Sequence, residues 1–268
     1  MTGATANTLT VDGKAVLAGS GGRAFDPALP TVVLLHGAGM DHSVWALQSR
    51  YLAHHGRNVL AVDLPGHGRS EGPALGCIEA LADWLVRLLD AAGVARARLA
   101  GHSMGALVAL ECAARHGARV EALALMGVAA KMPVHPDLLA AAEANDPVAA
   151  EMIVDWGYGA RAHLGGHRVP GLWMAGSGLR LLQHAAPGVL HRDLAACNAY
   201  RGGGEAAAKV ACPALLLLAP DDKMTPAKAG RKLAAAIQGA EVVDLPACGH
   251  MMMVEQPDAT LDALLRMI

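Results

Sequence analysis

Short apolar runs alternate with helix-like segments along this chain, and this alternation limits the folds that it can adopt. In six segments a short apolar run is followed within a few residues by Gly, Pro or Asp. These segments are TVVLLHG (31–37), NVLAVDLPG (58–66), ARLAGHS (97–103), ALALMGV (122–128), PALLLLAPDD (213–222) and EVVDLP (241–246). Continuous apolar strands are typical of a sheet covered on both faces. With helical patterns between them, such as 77–93 and 105–117, they predict an α/β fold with a mostly parallel sheet.

The segment 77–93 illustrates the helical pattern. One apolar stripe at helical spacing contains Ile78, Leu81, Leu85, Leu88 and Leu89, and Gly93 follows as a stop signal. We expect this stripe to pack on the sheet.

The alternation stops between about residues 129 and 208, where helix-like pieces such as HPDLLAAAEA and DPVAAEMIVDWGY replace strands. A second small domain is one interpretation. We favour a helical cap, because both ends of the segment return to the same predicted sheet. The predicted organisation is a first core part (1–128), a cap (129–208) and a second core part (209–268).

Composition excludes several classes of protein. The 268 residues are 53% hydrophobic and 17% charged, which suits one domain with a large core. The net charge of −2 shows no basic excess, so nucleic acid is not an expected partner. No apolar run approaches the roughly 20 residues that span a bilayer, so no membrane association is expected. No pattern indicates an oligomeric state.

Cysteine and histidine usage argues against disulfide and metal sites. The five cysteines are scattered and form no C-x-x-C pair, which favours reduced thiols in a cytoplasmic protein. The N-terminus shows no signal-peptide pattern. His163 and His167 are closely spaced, but two intervening glycines and the lack of a Cys or carboxylate cluster make a metal site unexpected. We expect no metal and no cofactor.

The stretch GHSMG (101–105) joins an apolar run to a helical pattern. A serine that merely caps a helix is one interpretation. In a strand–turn–helix context, Gly101 and Gly105 instead indicate a sharp elbow that lifts the Ser103 hydroxyl clear of the sheet.

A serine nucleophile needs a base and an acid that orients the base. Downstream, APDDKMTP offers Asp221 and Asp222 after one apolar run, and PACGHMMMVEQP offers His250 after the last. The chain order Ser, Asp, His is that of the elbow architecture.

Four blocks resemble the α/β-hydrolase superfamily, specifically single-domain serine hydrolases with a helical cap such as carboxylesterases and pimeloyl-carrier-protein esterases. These blocks are LLHGAGMDHSVW (34–45), DLPGHGRS (63–70), GHSMG (101–105), and the pair DDKMTP and GHMMMVEQP (221–226 and 249–257). The resemblance implies an α/β-hydrolase fold with a helical cap insertion. It also implies a triad of Ser103, Asp222 and His250, with Asp222 chosen over Asp221 by the family spacing.

The resemblance further implies an oxyanion hole built from the backbone amides of Ala38 and Met104, since two fixed donors stabilise the charge that acyl transfer develops. We interpret His36 and His102 as structural, because His36 precedes the serine at a strand end and His102 points away from it in a sharp turn. The DLPGHGRS block is expected to be scaffold, with Asp63 and Ser70 bonding their own turn.

Ser rather than Asp at the elbow indicates acyl transfer, so we expect hydrolysis of a small to medium ester or thioester. A carbon–carbon bond hydrolase of the meta-cleavage type and a hydrolase-fold binding protein with slow turnover remain alternatives. Either a dienoate or a carrier domain would call for cationic groups. The candidates in the cap are Arg161, Arg168, Arg180 and Arg192.

Apolar residues of the cap and of the histidine loop are candidates for a pocket wall, with ordinary core packing as the alternative for each. These candidates are Trp156, Tyr158, Trp173, Met174 and Met251, with Met252 and Met253 beside the last. An apolar wall would favour acyl chains over sugars or charged peptides.

Overall fold

Eight strands form one sheet in the part of the chain that the structure describes. The structure is a computed structural model, and it describes residues 6–165 and 173–268. The strands are β1 (Ala6–Val11), β2 (Lys14–Gly19), β3 (Thr31–Leu35), β4 (Asn58–Val62), β5 (Ala97–His102), β6 (Val120–Met126), β7 (Ala214–Leu218) and β8 (Glu241–Asp244). Their order is β1-β2-β4-β3-β5-β6-β7-β8; β1 and β2 pair antiparallel, β2 meets β4 antiparallel, and the other pairs are parallel. The predicted mostly parallel sheet is confirmed.

The first two strands were absent from the sequence prediction. Asp12 and Gly13, both with positive φ, make the tight turn of this hairpin. Hairpin turns of two residues favour such backbone angles, and Asp-Gly is a common sequence for them. The hairpin adds an antiparallel edge to the six strands expected from the apolar runs.

Helices cover both faces of the sheet. They are α1 (Ala46–His54), α2 (Ile78–Ala91), α3 (Met104–Arg115), α4 (Pro136–Glu143), α5 (Val148–Gly157), α6 (Ala160–His163), α7 (Met174–Gln183), α8 (Val189–Ala199), α9 (Gly203–Lys209), α10 (Ala227–Ala234), α11 (Met252–Glu255) and α12 (Pro257–Leu264). None of the described helices is both long enough and apolar enough to cross a bilayer.

The strands are apolar throughout because each face packs on helices. Val33 and Leu35 of β3 face the cluster that contains the α2 stripe, whereas Val32 and Leu34 face the cluster that contains Trp45 and α12. All five predicted stripe residues of α2 are at most 1% exposed. The expected burial of both sheet faces is therefore confirmed.

Helices α4 to α9 lie between β6 and β7, and we refer to residues 129–208 as the insertion. A separate apolar cluster binds it together, with Leu138, Ile153, Met174 and Leu194 among its buried members. The same cluster includes Met40 and Met251 from loops that follow β3 and β8. The insertion thus packs against the end of the sheet where the parallel strands terminate.

Candidate active site

Ser103 occupies the sharp turn between β5 and α3. Its backbone angles, φ 54 and ψ −116, lie in a region that non-glycine residues rarely adopt. The Ser103 amide donates to Met126 O of the neighbouring strand at 2.9 Å, and the residue is 8% exposed. The side chain therefore lies at the end of a central strand. The backbone there is held in an unfavourable conformation by the surrounding structure.

The two glycines of GHSMG are required by close backbone approach, as the sequence predicts. A Cβ on Gly101 would collide with the carbonyl of Gly105, and one on Gly105 would lie 2.5 Å from the carbonyl oxygens of both Leu35 and His36. The missing Cβ of Gly101 lets α3 begin close against β5, and that of Gly105 lets α3 pack on the end of β3.

Asp222 and His250 meet beside the elbow. Asp222 follows β7, His250 follows β8, and His250 Nδ1 lies 2.8 Å from Asp222 Oδ2, with both side chains at most 2% exposed. Burial opposes ionisation of Asp222, but the charge of His250 and hydrogen bonds from His250 and Thr225 hold the pKa of that carboxyl below its usual range. Asp221 is exposed and makes no such contact.

Thr225 adds a hydroxyl that sequence analysis did not single out. Thr225 Oγ1 donates to Asp222 Oδ2 at 2.7 Å and lies 3.2 Å from His250 Nδ1. The amides of Met224 and Thr225 donate to Asp222 Oδ1 at 2.9 and 2.8 Å. Four donors thus fix one carboxylate, and the DDKMTP block contains all of them except the imidazole.

The loop that carries His250 is fixed from several directions. The His250 amide donates to Gly157 O of the insertion at 2.6 Å. Glu255 accepts from the amides of Gly159, Gly249 and Met251 at 2.9 to 3.2 Å, and burial raises the pKa of its carboxyl. Glu255 stands in the quoted EQP sequence, but its spacing alone did not reveal this role.

The loop after β3 runs beside the elbow. Gly37 lies so near the turn that a Cβ there would be 3.3 Å from Ser103 Cβ. The amides of Ala38 and Met104 have no acceptor among the described residues. His36 is fully buried: Leu64 N donates to its Nε2 at 3.1 Å, and its Nδ1 donates to Gly37 O at 2.8 Å. Burial lowers the pKa of His36 to about 4, which keeps the ring neutral.

His102 is also buried and neutral. Its Nε2 donates to His250 O at 2.9 Å, and the two rings lie 4.6 Å apart. Burial, with the nearby charge of His250, lowers the pKa of His102 to about 3. The structural roles expected for His36 and His102 fit these contacts. In the DLPGHGRS block, Ser70 Oγ donates to Asp63 O at 2.7 Å, and Asp63 Oδ2 accepts from Arg69 N at 2.9 Å.

A cavity of about 400 Å³ lies between the strand ends and the insertion. Its polar interior groups come from Ser103, Thr225 and His250, whereas most of the wall is apolar. The described lining residues are Ala38, Met40, Ser103, Met132, Pro133, Val134, His135, Leu138, Ile153, Trp156, Leu194, Cys197, Lys223, Met224, Thr225, His250 and Met251.

The pocket-wall predictions divide into two groups. Trp156 and Met251 line this cavity. The other three are not among its described lining residues. Trp173 is 65% exposed, Met174 is buried within the insertion, and Tyr158 lines a separate cleft with Asp221 and His163. Composition alone cannot tell which apolar residues of a helical segment border a cavity. Met252 and Met253 pack in the core beneath the sheet.

Of the cationic candidates named from the sequence, none lines the described part of the cavity. Arg180 bonds Gln183 and Arg192 bonds Ala74 O, neither of them lining the cavity. Arg161 also lies elsewhere, and Arg168 and His167 fall outside the described residues. The described lining residue with a permanent positive charge is Lys223, which is exposed.

One group of potential metal ligands occurs among the described residues. Atoms of Asp41, His42 and Asp63 lie within 4.8 Å of one another. They already satisfy each other and the local backbone: Asp63 Oδ1 accepts from His42 N and Nδ1 at 2.8 and 2.7 Å, and Asp41 Oδ1 accepts from Ser43 N at 2.8 Å. This arrangement is a hydrogen-bonded loop anchor.

Comparison with known proteins supports the fold. The model of the family described as "Alpha/beta hydrolase family" matches residues 32–263. An enol-lactonase structure from Burkholderia xenovorans superposes with a TM-score of 0.87 and 27% identity, over 97% of this chain and 98% of the other.

Two curated relatives are similar along most of their length. A putative carbamate hydrolase, RutD, from Klebsiella pneumoniae is 31% identical over 90% of this chain and 91% of its own. A pimeloyl-[acyl-carrier protein] methyl ester esterase from Chromobacterium violaceum is 31% identical over 82% of this chain and 87% of its own. These similarities confirm the α/β-hydrolase fold that the four sequence blocks imply.

Proposed function

Because this chain belongs to the alpha/beta hydrolase family, we propose that it is a serine hydrolase that cleaves an ester or thioester through an acyl-enzyme on Ser103. The observation that carries this proposal is the cavity of about 400 Å³ that Ser103, His250 and Ala38 share. A nucleophile, a base and an amide donor there face one apolar space that can hold an acyl chain.

The proposed chemistry follows from the hydrogen bonds of His250. Asp222 accepts from Nδ1, so Nε2 is the ring nitrogen left to act as a base. His250 Nε2 removes the proton from Ser103 Oγ as this oxygen attacks the carbonyl carbon, and later returns a proton to the leaving group. No direct hydrogen bond joins Ser103 to His250 in the described residues; such bonds often tighten only when substrate binds.

In the tetrahedral intermediate the former carbonyl oxygen carries a negative charge. We assign the amides of Ala38 and Met104 as the hydrogen-bond donors to this oxygen. Both amides are free of other acceptors in the described chain. Each fixed donor contributes about 3 kcal/mol to the stabilisation of a developing oxyanion. Water then attacks the acyl-enzyme, with His250 again as the base.

The walls favour an uncharged acyl group of small to medium size. Met132, Leu138, Ile153 and Leu194 contribute apolar surface from the insertion side. We assign the insertion the role of a cap, since its side chains complete the cavity over Ser103. Lys223, the permanent cation of the described lining, is exposed to solvent.

The names of the similar proteins fit one type of reaction. A carbamate, a methyl ester and an enol-lactone each carry a carbonyl bonded to a heteroatom leaving group. Carbon–carbon cleavage of a dienoate would need cationic groups in the pocket, and the described wall offers one permanent cation, the exposed Lys223. Ester or thioester hydrolysis is therefore favoured over the carbon–carbon alternative.

A fluorophosphonate probe tests the proposal directly. Wild-type protein should be labelled on Ser103 and should release p-nitrophenol from acyl esters, fastest for short to medium apolar chains. Ser103→Ala should do neither while unfolding at a similar temperature. Labelling without turnover would favour a binding protein. A wild-type protein that resists the probe and cleaves no ester or thioester, but hydrolyses a ring-cleavage dienone, would contradict the proposal.

A further inference from the structure

Asp193, on α8 of the insertion, reaches two loops of the sheet domain. Its side chain is 1% exposed. Oδ2 accepts from the Gly39 amide at 2.8 Å and lies 2.7 Å from His67 Nε2. Oδ1 is buried without a hydrogen-bond partner in the described residues. Both polar contacts of this carboxylate therefore pass through one oxygen that bridges the insertion and the core.

Asp193 and His67 lie at ion-pair distance, with 2.7 Å between Oδ2 and Nε2. Both ring nitrogens of His67 face acceptors, since Nδ1 lies 3.1 Å from Pro65 O and Nε2 faces the carboxylate. Burial acts to lower the pKa of His67, but the hydrogen bond and charge of Asp193 outweigh it and raise this pKa above its usual value. A buried ion pair is often no more stabilising than apolar packing. The main effect of this contact is therefore to hold the groups bonded to Asp193 in fixed positions.

The partner that matters is Gly39, which directly follows Ala38 in the proposed oxyanion hole. Leu190 of α8 packs so tightly on Gly39 that a Cβ there would lie 2.8 Å from Leu190 Cδ1. On the other side of the loop, His36 Nδ1 donates to Gly37 O. The loop 37–39 is thus held between a neutral histidine of the core and a carboxylate of the insertion.

We propose that Asp193 is a positioning residue that fixes the Ala38 amide relative to Ser103 through the Gly39 amide and His67. The inference rests on the proposed function, because it concerns the oxyanion hole of that reaction. Full transition-state stabilisation then requires that α8 be docked on the loop. A donor displaced by about 1 Å can lower the rate by about 10²-fold, while ground-state binding in the apolar cavity is preserved.

Two substitutions at Asp193 separate the acceptor from the side-chain volume. Asp193→Leu removes the acceptor and should lower kcat about 30- to 100-fold on a p-nitrophenyl ester, with KM changed less than about threefold. Asp193→Asn keeps an oxygen for Gly39 but removes the charge beside His67, so it should lose about three- to tenfold. An alkylboronic acid, which forms a tetrahedral adduct on Ser103, should weaken in proportion to kcat/KM in each variant.

Tyr200→Phe is the matched control. Tyr200 Oη, just after α8, donates to Glu111 Oε2 of α3 at 2.5 Å, so this variant removes a different buried bond between insertion and core. It should leave kcat and boronate affinity near wild type. The proposal is wrong if Asp193→Leu acts no more strongly than Tyr200→Phe, or acts through KM alone. If Asp193→Leu does not fold, unchanged boronate affinity in Asp193→Asn overturns the proposal.

A spectroscopic readout separates this inference from the proposed function. A charge-assisted hydrogen bond should shift the Gly39 amide proton downfield and slow its exchange in wild type. Asp193→Leu should abolish both effects, whereas Tyr200→Phe should not. This result does not depend on ester turnover, so an enzyme with another substrate would still show it. A Gly39 amide that is unaffected by Asp193→Leu would refute the contact itself.

Discussion

Asp222 accepts four hydrogen bonds, two on each carboxylate oxygen, and this arrangement leaves it one productive orientation toward His250. The proposed mechanism calls for an ionised carboxylate here, since Nδ1–H of His250 is the donor and stabilisation of an imidazolium requires a negative charge. Asp221 is exposed, whereas Asp222 is buried and holds the contact to His250. Two adjacent aspartates therefore have distinct environments.

We predict that Asp222→Asn lowers kcat about 10³- to 10⁴-fold, because an amide cannot hold the imidazole in the needed tautomer and charge state. Asp221→Asn is the control and should remain within about twofold of wild type. Steady-state hydrolysis of a p-nitrophenyl ester measures both. A silent Asp222→Asn combined with an inactive Asp221→Asn would reverse the assignment.

A second residue-scale prediction concerns the Thr225 hydroxyl. Thr225→Val removes the 2.7 Å bond to Asp222 Oδ2 with little change of volume. We expect kcat to fall about 3- to 30-fold, since a hydrogen bond to a charged group contributes about 1.5–3 kcal/mol, part of which the other three donors retain. Thr225→Ser keeps the hydroxyl and should stay near wild type. Full activity in Thr225→Val would contradict a role of the hydroxyl, and a loss in Thr225→Ser alone would mean that the methyl group matters instead.

At this scale, a functional residue could be predicted from the sequence when its partners lie in the same short motif. Asp222, Met224 and Thr225 stand within five residues of one another, and Ser103 stands between its two glycines. Asp193 and His67 are 126 residues apart. Neither belongs to a spacing that would pair them, because their contact depends on how α8 docks on the core.

At the scale of elements, the turn that follows β6 packs directly against the imidazole of His250. Gly127 follows this strand with φ +56, and a Cβ there would lie 2.7 Å from His250 Cε1 and 2.8 Å from Nδ1. The turn after β6 thus requires a glycine for two reasons, backbone angle and space. Gly93, after α2, has a similar φ of +67 but nothing within 4 Å of the same atom.

These two glycines allow a matched prediction. Gly127→Ala and Gly93→Ala should each lose about 1–3 kcal/mol of unfolding free energy from the left-handed backbone. Gly127→Ala should also lower kcat more than tenfold, because the new methyl group displaces the imidazole. Gly93→Ala should leave kcat unchanged. Chemical denaturation and ester hydrolysis measure the two effects, and full activity in a folded Gly127→Ala would contradict this account.

Helices and strands could be predicted from the sequence where the spacing of apolar residues was regular. They were missed where that spacing was irregular. The α2 stripe was recovered because helical spacing selects one face. The Asp12-Gly13 turn could have revealed β1 and β2, whose mixed composition hid them among polar residues. Trp173, a candidate wall residue, directly precedes α7 and is 65% exposed, so no helical period applied to it.

At the scale of the whole molecule, buried neutral histidines make stability dependent on pH. His36 and His102 have pKa values of about 4 and about 3 in the folded chain, because burial disfavours their charged forms. The unfolded chain binds these protons near pH 6.5. Between pH 6.5 and 4 the unfolded state therefore holds more protons than the folded state, and the unfolding free energy falls as pH falls.

We predict that His102→Gln flattens this acid dependence. Over the 2.5 units from pH 6.5 to 4, His102 should contribute about 3 kcal/mol to the loss in wild type, at about 1.4 kcal/mol per unit. Glutamine keeps a donor for His250 O but has no titrating group. Denaturant unfolding at both pH values gives the difference. Val59→Ala, a buried apolar change in β4, should lower both values equally and leave the difference intact. A His102→Gln protein that loses as much stability as wild type over this range would show that the buried ring is not the source of the acid sensitivity.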